Sequence, residues 1–331
     1  LTAGSASAAT AAEWSMKGHG FFNASVIVSS LDDGYQGKSV YTNPEIFFSP
    51  SIKMDNGITY GARVELEGYT TGDQIDEHYL YAKGGFGKVT LGADDAAHYN
   101  LHSEAPGGGF DNYNDPSYVA TYGGMNTSDY SSSDSNGIIY MSPSFSGFEF
   151  GLSYKPDTTA GGGSNLTSAT SVEKTDGDYG DAIALGVKYS TKMDNFSLGV
   201  SGGYQTLNAD AEDGTDRDVM VASVRVGFGG ITLGGSYKDD DLGDDAQDQT
   251  VYNFGVKYAA GDMTFGGGVG MSTTETEADG TKTETEQTNA SVSMTYKIGP
   301  GIKVGGGFQY EDNDSQDDKA YGVVVGLGLS F

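Results

Sequence analysis

The residues "AYGVVVGLGLSF", 320–331, decide the architecture. Tyr321, Val323, Val325, Leu327, Leu329 and Phe331 are apolar and alternate strictly with Ala320, Gly322, Val324, Gly326, Gly328 and Ser330. A period of two places the first set on one face of a β-strand and the small residues on the other.

The same period recurs upstream. Ile183 to Tyr189, Phe196 to Tyr204, Met220 to Phe228, Ile231 to Tyr237, Tyr252 to Tyr258, Met263 to Met271, Val292 to Ile298 and Ile302 to Tyr310 each carry it. Weaker segments run from Trp14 to Ser30, Glu45 to Met54, Ile58 to Glu67, Ile75 to Gly84, Val89 to Ala93, Ile138 to Phe145 and Phe148 to Tyr154. The total is about sixteen strands, an even number, as single-chain bacterial membrane barrels have. With 52 Gly, 22 Tyr and 7 Pro in 331 residues, and no long 3.6-residue periodicity, the expected class is all-β.

The connectors alternate as well. "KMDNF", "FGG", "AAGD" and "IGPG" are tight turns, whereas "TLNADAEDGTDRD", "DDDLGDDAQDQ", "TTETEADGTKTETEQ" and "EDNDSQDDK" read as long acidic loops. All short links therefore fall at one end of the strands, the sidedness of a barrel inserted into a membrane with short inner turns and long outer loops. A soluble sandwich has no reason for it. No apolar run of about 18 residues is present, which excludes transmembrane helices but not strands that meet lipid at every second residue.

Charges inside the strands settle which face is greasy, because Arg or Lys at the lipid midplane costs about 2–4 kcal/mol. Arg63, Glu65 and Glu67 fall opposite Ile58, Tyr60, Val64 and Leu66, and Lys188, Arg225, Lys257, Lys297 and Lys303 fall opposite their own apolar series. A polar inner face on about sixteen strands encloses an aqueous channel. Tyr154, Tyr204, Tyr237, Tyr252 and Tyr310 near the long-loop ends, and Phe196, Phe228 and Phe331 near the short-turn ends, read as interfacial girdles.

The net charge of −28, from 18 Lys and Arg against 46 Asp and Glu, excludes nucleic acid and anionic membrane surfaces as docking partners and favours cations as guests. Cysteine is absent, so there is neither a disulfide framework nor a thiolate metal site. Residues 1–13, "LTAGSASAATAAE", resemble in composition the end of an exported leader, with 14–331 expected as one barrel. One connector, about 94–136, is far longer than an ordinary loop and rich in aromatics, which suggests that it packs against something.

Other chemistry is weaker. His98 and His102 have metal-ligand spacing for a helix, but the segment shows no helical pattern, and Ser103 beside His102 is sequence adjacency without the geometry of a hydrolase. The segment around Asp210 lacks the glycine and closing glutamate of a calcium loop, so no cofactor is expected beyond possible loose Ca2+ binding at the acidic rim, for which Asp240, Asp241, Asp244 and Asp245 are the candidates. The clusters "VGGGF" and "FGGGVG" precede no helix and are strand glycines that ease crowding in the lumen.

"MDNGITYGARVELEG", "DEHYLYAKGGFGKVTLGADDAAHYNLHSEAP" and Phe331 resemble the general diffusion porins of Gram-negative outer membranes, most closely the alphaproteobacterial type. That resemblance implies an integral outer-membrane homotrimer in contact with lipid and lipopolysaccharide, whose last strand pairs with the first and whose Phe331 is read by the outer-membrane assembly machinery. It further implies that the long loop folds into the lumen as an eyelet. Glu104, Asp111 and Asp115 would be its acidic cluster, opposed by Arg63 on the wall, with Lys17 and Lys53 sharing its inward parity. The expected function is passive diffusion of small hydrophilic solutes and cations. The alternatives are a substrate-selective channel, for instance for sugars, and an exported soluble β-rich adhesin; no enzymatic role is expected.

Overall fold

The computed structural model describes residues 13–30, 37–69, 74–108, 125–158, 179–209, 214–244, 247–278, 280–314 and 319–331. Residues 1–12, within the expected leader remnant, lie outside them.

The strands are β1 (Ser15–Ser29), β2 (Lys38–Lys53), β3 (Thr59–Glu67), β4 (Ile75–Gly84), β5 (Gly87–Ala93), β6 (Asn136–Met141), β7 (Phe148–Asp157) and β8 (Tyr179–Met193) in the first half. The second half has β9 (Phe196–Ala209), β10 (Arg217–Phe228), β11 (Ile231–Asp244), β12 (Gln247–Ala260), β13 (Met263–Ala278), β14 (Thr281–Gly299), β15 (Ile302–Asn313) and β16 (Ala320–Ser330). Each pairs antiparallel with its chain neighbours, and β1 pairs with β16, so the sheet is a closed barrel of 16 strands with no free edge. Closure removes the unpaired backbone groups that hydrocarbon cannot satisfy. The seam is held to its end: Gly20 donates to the Phe331 carbonyl at 2.9 Å, and Phe331 donates back to Gly20 at 3.0 Å.

Alternation sets the faces. Val323, Val325 and Leu327 of β16 are exposed on the outside, while Gly322 and Val324 are buried inside. The outer face carries an apolar row on every strand, from Val26 and Val40 to Phe308, and no aqueous solvent could favour that much exposed hydrocarbon on a lone chain. Above the row sits a tyrosine belt whose hydroxyls donate outward to carboxylates: Tyr154 to Asp181, Tyr204 to Asp218, Tyr237 to Asp239 and Tyr310 to Asp312, at 2.5–2.9 Å. An apolar ring below and a charged partner above is what an interfacial aromatic needs.

Every link at one end of the strands is short, as expected, but at the other end those after Asp244 and Ala278 are equally short. At Gly229 and Gly230 both φ angles are positive, 57° and 91°, the backbone that a two-residue hairpin turn demands. The long links differ from expectation. Strands β11 to β14 continue through most of the acidic segments, with Glu277 paired to Lys282 and Ala278 to Thr281, so these are tall paired hairpins instead of loops. Alternating Thr, a β-former, keeps the ladder going where charge alone suggested irregular chain. Near the N-terminus β2 begins at Lys38, earlier than the apolar pattern shows, and β6 ends at Met141.

Candidate functional site

The channel lining is built in two parts, a loop folded inward between β5 and β6 and the wall of β1 to β4. Ala93 and Asn136 are paired, so the loop leaves and returns at one place. The ammonium of Lys155 on β7, almost fully buried, holds both roots, donating to the carbonyls of Asp94 (2.6 Å) and Ser132.

The outgoing arm starts with a short helix, α1 (Ala97–Leu101), in a segment expected to be irregular. It lies on β7, β8 and β9: Ala97 donates to Ser153 Oγ at 3.2 Å, and a Cβ added at Gly186 or Gly203 would meet Ala97 or His98 at 2.6–2.8 Å. The arm then crosses the inner wall. Ala105 donates to Ser236 Oγ, the Arg225 guanidinium donates twice to the Glu104 carbonyl, and Thr295 Oγ1 donates to the Gly108 carbonyl at 3.2 Å. Under Pro106, Gly107 and Gly108 the wall residues are Gly234, Gly255 and Gly266, none of which has room for a side chain. The inward glycines of β11 to β13 are thus the track on which the loop rests.

The returning arm is stitched to the outgoing one. Asn253 Nδ2 donates to the Met125 carbonyl at 2.8 Å. The Glu104 carboxylate accepts from Ser128 N (2.6 Å), Ser128 Oγ (2.8 Å) and Thr127 Oγ1 (3.0 Å). Asp129 accepts from Gln205 Nε2 (2.7 Å) and Ser131 N (2.9 Å) and sits 2.8 Å from His98 Nε2. Burial opposes ionisation of Asp129, but His98 and the Ser131 hydrogen bonds outweigh it and bring its pKa down to about 2. Burial lowers His102 to about 4 against the pull of Glu104, so it is neutral at pH 7, with Nε2 3.0 Å from Thr127 Oγ1. These contacts occupy the two histidines within the loop and do not bring them together on a metal.

Across the lumen the wall is aromatic and charged. The Arg63 guanidinium stacks on Phe47 at 4.5 Å, pairs with Glu65 and comes 4.0 Å from Glu77. His19 packs on Phe47 with ring centroids 4.9 Å apart, and Lys88 lies over Tyr79 at 4.5 Å. A register shift between Val64 and Leu66 brings both Asp76 and Glu77 to the acidic side groups of the lumen, giving two carboxylate trios, Glu45–Glu65–Asp76 and Glu77–Asp95–Asp134, each with oxygens within 4.8 Å of one another. Burial, reinforced by Glu77, raises the Asp95 carboxyl to about 7 despite a hydrogen bond from Ser133.

Of the residues proposed from sequence, Glu104 lies in the loop, where its carboxylate joins the two arms. Asp111 and Asp115 lie outside the described residues. Arg63 is on the inner wall near the acidic trios, whereas Lys53 is the last residue of β2, beside a short turn, and Lys17 is the third of β1. At the rim Asp240 accepts from Arg217 at 2.7–2.8 Å, Asp241 from the amides of Asp218 and Gly243, and Asp244 from Gln247 at 3.2 Å. Asp245 is outside the described residues. Sequence reasoning missed Asp95, Glu77, Asn253 and Gln205; inward parity on β4, β9 and β12 was the available signal.

A closed barrel greasy outside, polar inside and narrowed by a folded-in loop defines a water-lined transmembrane channel. The profile of the Gram-negative porin family matches residues 1–316, and the chain belongs to that family; it is an integral outer-membrane protein. Among solved structures it resembles the anion-selective porin from Comamonas acidovorans (16% identity, TM-score 0.64, covering 96% of this chain and 100% of that one). It also resembles OmpT of Vibrio cholerae in its trimer form (14%, 0.62, 96% and 99%) and a variant of the Rh. blastica porin (18%, 0.58, 96% and 100%). A comparison with curated protein sequences returns no match.

Proposed function

We propose that this outer-membrane channel passes small hydrophilic solutes by passive diffusion with cations preferred, and that it assembles as a homotrimer. The observation that carries the cation preference is the pair of carboxylate trios gathered on the lumen side beside the loop, six carboxyl groups against the nearby Arg63 guanidinium and Lys155 ammonium. Fixed charges act on ions across a gap comparable to the Debye length, about 8 Å at physiological salt. The Comamonas relative shares the fold while being anion-selective, so selectivity rests on these side chains and not on the architecture. Zero-current potentials of reconstituted channels in a KCl gradient test the reading: a potential of the cation-selective sign supports it, and the opposite sign defeats it.

The trimeric form of the OmpT relative supports the homotrimer, and Phe331, exposed at the closing seam, is the residue we assign to recognition by the assembly machinery. A second reading, a channel selective for sugars, is favoured by the aromatic surface of His19, Phe47, Tyr79 and Tyr81 on the wall facing the loop. Saturable block of conductance by one sugar would select it over general diffusion.

A further inference from the structure

The lysines of the barrel are not spread evenly along its axis. Lys53, Lys83, Lys192, Lys257, Lys297 and Lys303 each lie within four residues of a short turn, on the side of the strand opposite the lipid-facing series. Among the described residues none of the six is in an ion pair. Lys297 and Lys303 are direct cross-strand partners, and so are Lys83 and Lys88, although Lys88 leans to within 3.7 Å of Asp94. Like charges placed opposite each other destabilise a sheet, so a wall built for stability alone would avoid both pairs. The acids of this zone among the described residues are Asp55, Asp194 and Asp262, within the turns themselves, Glu13, which precedes β1, and Glu149, which is paired opposite Lys188. The other end is the reverse: the acidic hairpins and both carboxylate trios stand there.

We infer that the channel is bipolar along its axis, an acidic outer half in series with a lysine collar at the turn end, and that it therefore rectifies ionic current. This rests on the porin reading and extends its selectivity. Cations are the majority carriers in the outer half and anions in the collar. With the hairpin side positive, cations enter from that side and anions from the other, so both accumulate where the two zones meet and conductance rises. With the field reversed, both are drawn out and that region is depleted.

Single channels in planar bilayers test this. Orientation is fixed by a Thr281→Cys label in an outer hairpin, read with an impermeant thiol reagent; the chain has no cysteine of its own. In 0.1 M KCl, where the Debye length is about 10 Å, the current at 100 mV with the hairpin side positive should be roughly 1.5-fold that at the opposite polarity, falling to about 1.1-fold at 1 M, where it is about 3 Å. Replacing all six collar lysines by Gln should abolish the asymmetry, Lys257→Gln/Lys297→Gln/Lys303→Gln should roughly halve it, and Lys282→Gln, on an outer hairpin, should leave it. Symmetric wild-type current in 0.1 M salt, the opposite polarity, or asymmetry that is undiminished in the triple variant or survives in the sixfold one overturns the inference. Zero-current potentials on the same channels separate it from the cation preference: an anion-selective sign with rectification intact sinks the preference alone, and a cation-selective sign with symmetric current sinks the collar alone.

Discussion

Gly255→Ala is a one-methyl perturbation aimed at the seat of the loop. A Cβ on Gly255 would come 1.9 Å from the Pro106 carbonyl oxygen and 3.0 Å from its carbon, about 1.5 Å inside the 3.4 Å at which ordinary contact begins. The oxygen has little freedom to turn aside, because the chain on either side is pinned by Arg225 at Glu104, Ser236 at Ala105 and Thr295 at Gly108. Overpacking of this kind costs about 1–3 kcal/mol. Each neutral hydrogen bond holding the arm is worth only about 0.5–1.5 kcal/mol net. The least costly relief is therefore for the arm to lift from the wall, moving into the lumen by an amount of the order of that overlap, while the barrel stays closed. Single-channel conductance should fall, and the exclusion limit for uncharged polymers should move to smaller sizes. Gly199→Ala, also on an inner face but with nothing within 4 Å of the new methyl, should match wild type in both. If the two variants prove indistinguishable from each other and from wild type, the loop does not rest on the glycine track.

Three further expectations follow from particular groups. Val325, outward on β16 and 59% exposed, should not tolerate Arg, at about 2–4 kcal/mol near the midplane, whereas Gly326→Ser on the inner face should be mild; the yield of heat-resistant folded barrel after refolding measures both. Asp95, with its carboxyl raised to about 7, gains its charge between about pH 6 and 8, so the cation permeability ratio should rise over that range and stay flat in Asp95→Asn. The native state holds this proton more tightly than the unfolded chain, so Asp95→Asn should stabilise above pH 7 and change little below the ordinary value of 3.8. His102 has the opposite sign: its native pKa of about 4 lies below the ordinary 6.5, so the stability it confers is complete above 6.5 and is lost as pH falls towards 4, up to about 3 kcal/mol. Melting temperature against pH should show that loss, and His102→Gln should make it shallower.

The barrel was legible because lipid imposes a rule on every second residue, and a rule applied sixteen times survives local noise. Tyr321 to Phe331 show it without interruption, and the closing pair with β1 follows from it. The heights of the hairpins were not legible. Between Ser272 and Gln287 no lipid dictates the pattern, so acidic residues looked like loop, yet the ladder runs on to a turn at Gly280 with φ of 72°. The resemblance pointed to Glu104, but its partners Ser128 and Asn253 are 24 and 149 residues away, and no local signal announces such a bond.

The glycines show where that boundary lies. An inward glycine on a wide barrel has two physical readings, open space for water or contact with a packed segment, and the sequence is the same for both. Gly199 is the first kind; Gly255 and Gly266, on neighbouring strands, are the second. Such contacts sum over a non-local surface, so they become visible only when Pro106 and Gly108 are set against the wall. In β11 to β13 the inward glycines at 234, 255 and 266 then share a cause, close approach of the folded-in chain, through the Pro106 ring at 234 and through backbone at 255 and 266, which is a use of glycine that no side chain can substitute. By the same reasoning, a porin of this family whose loop took another course should carry bulky side chains at those three positions and glycine elsewhere on the inner wall.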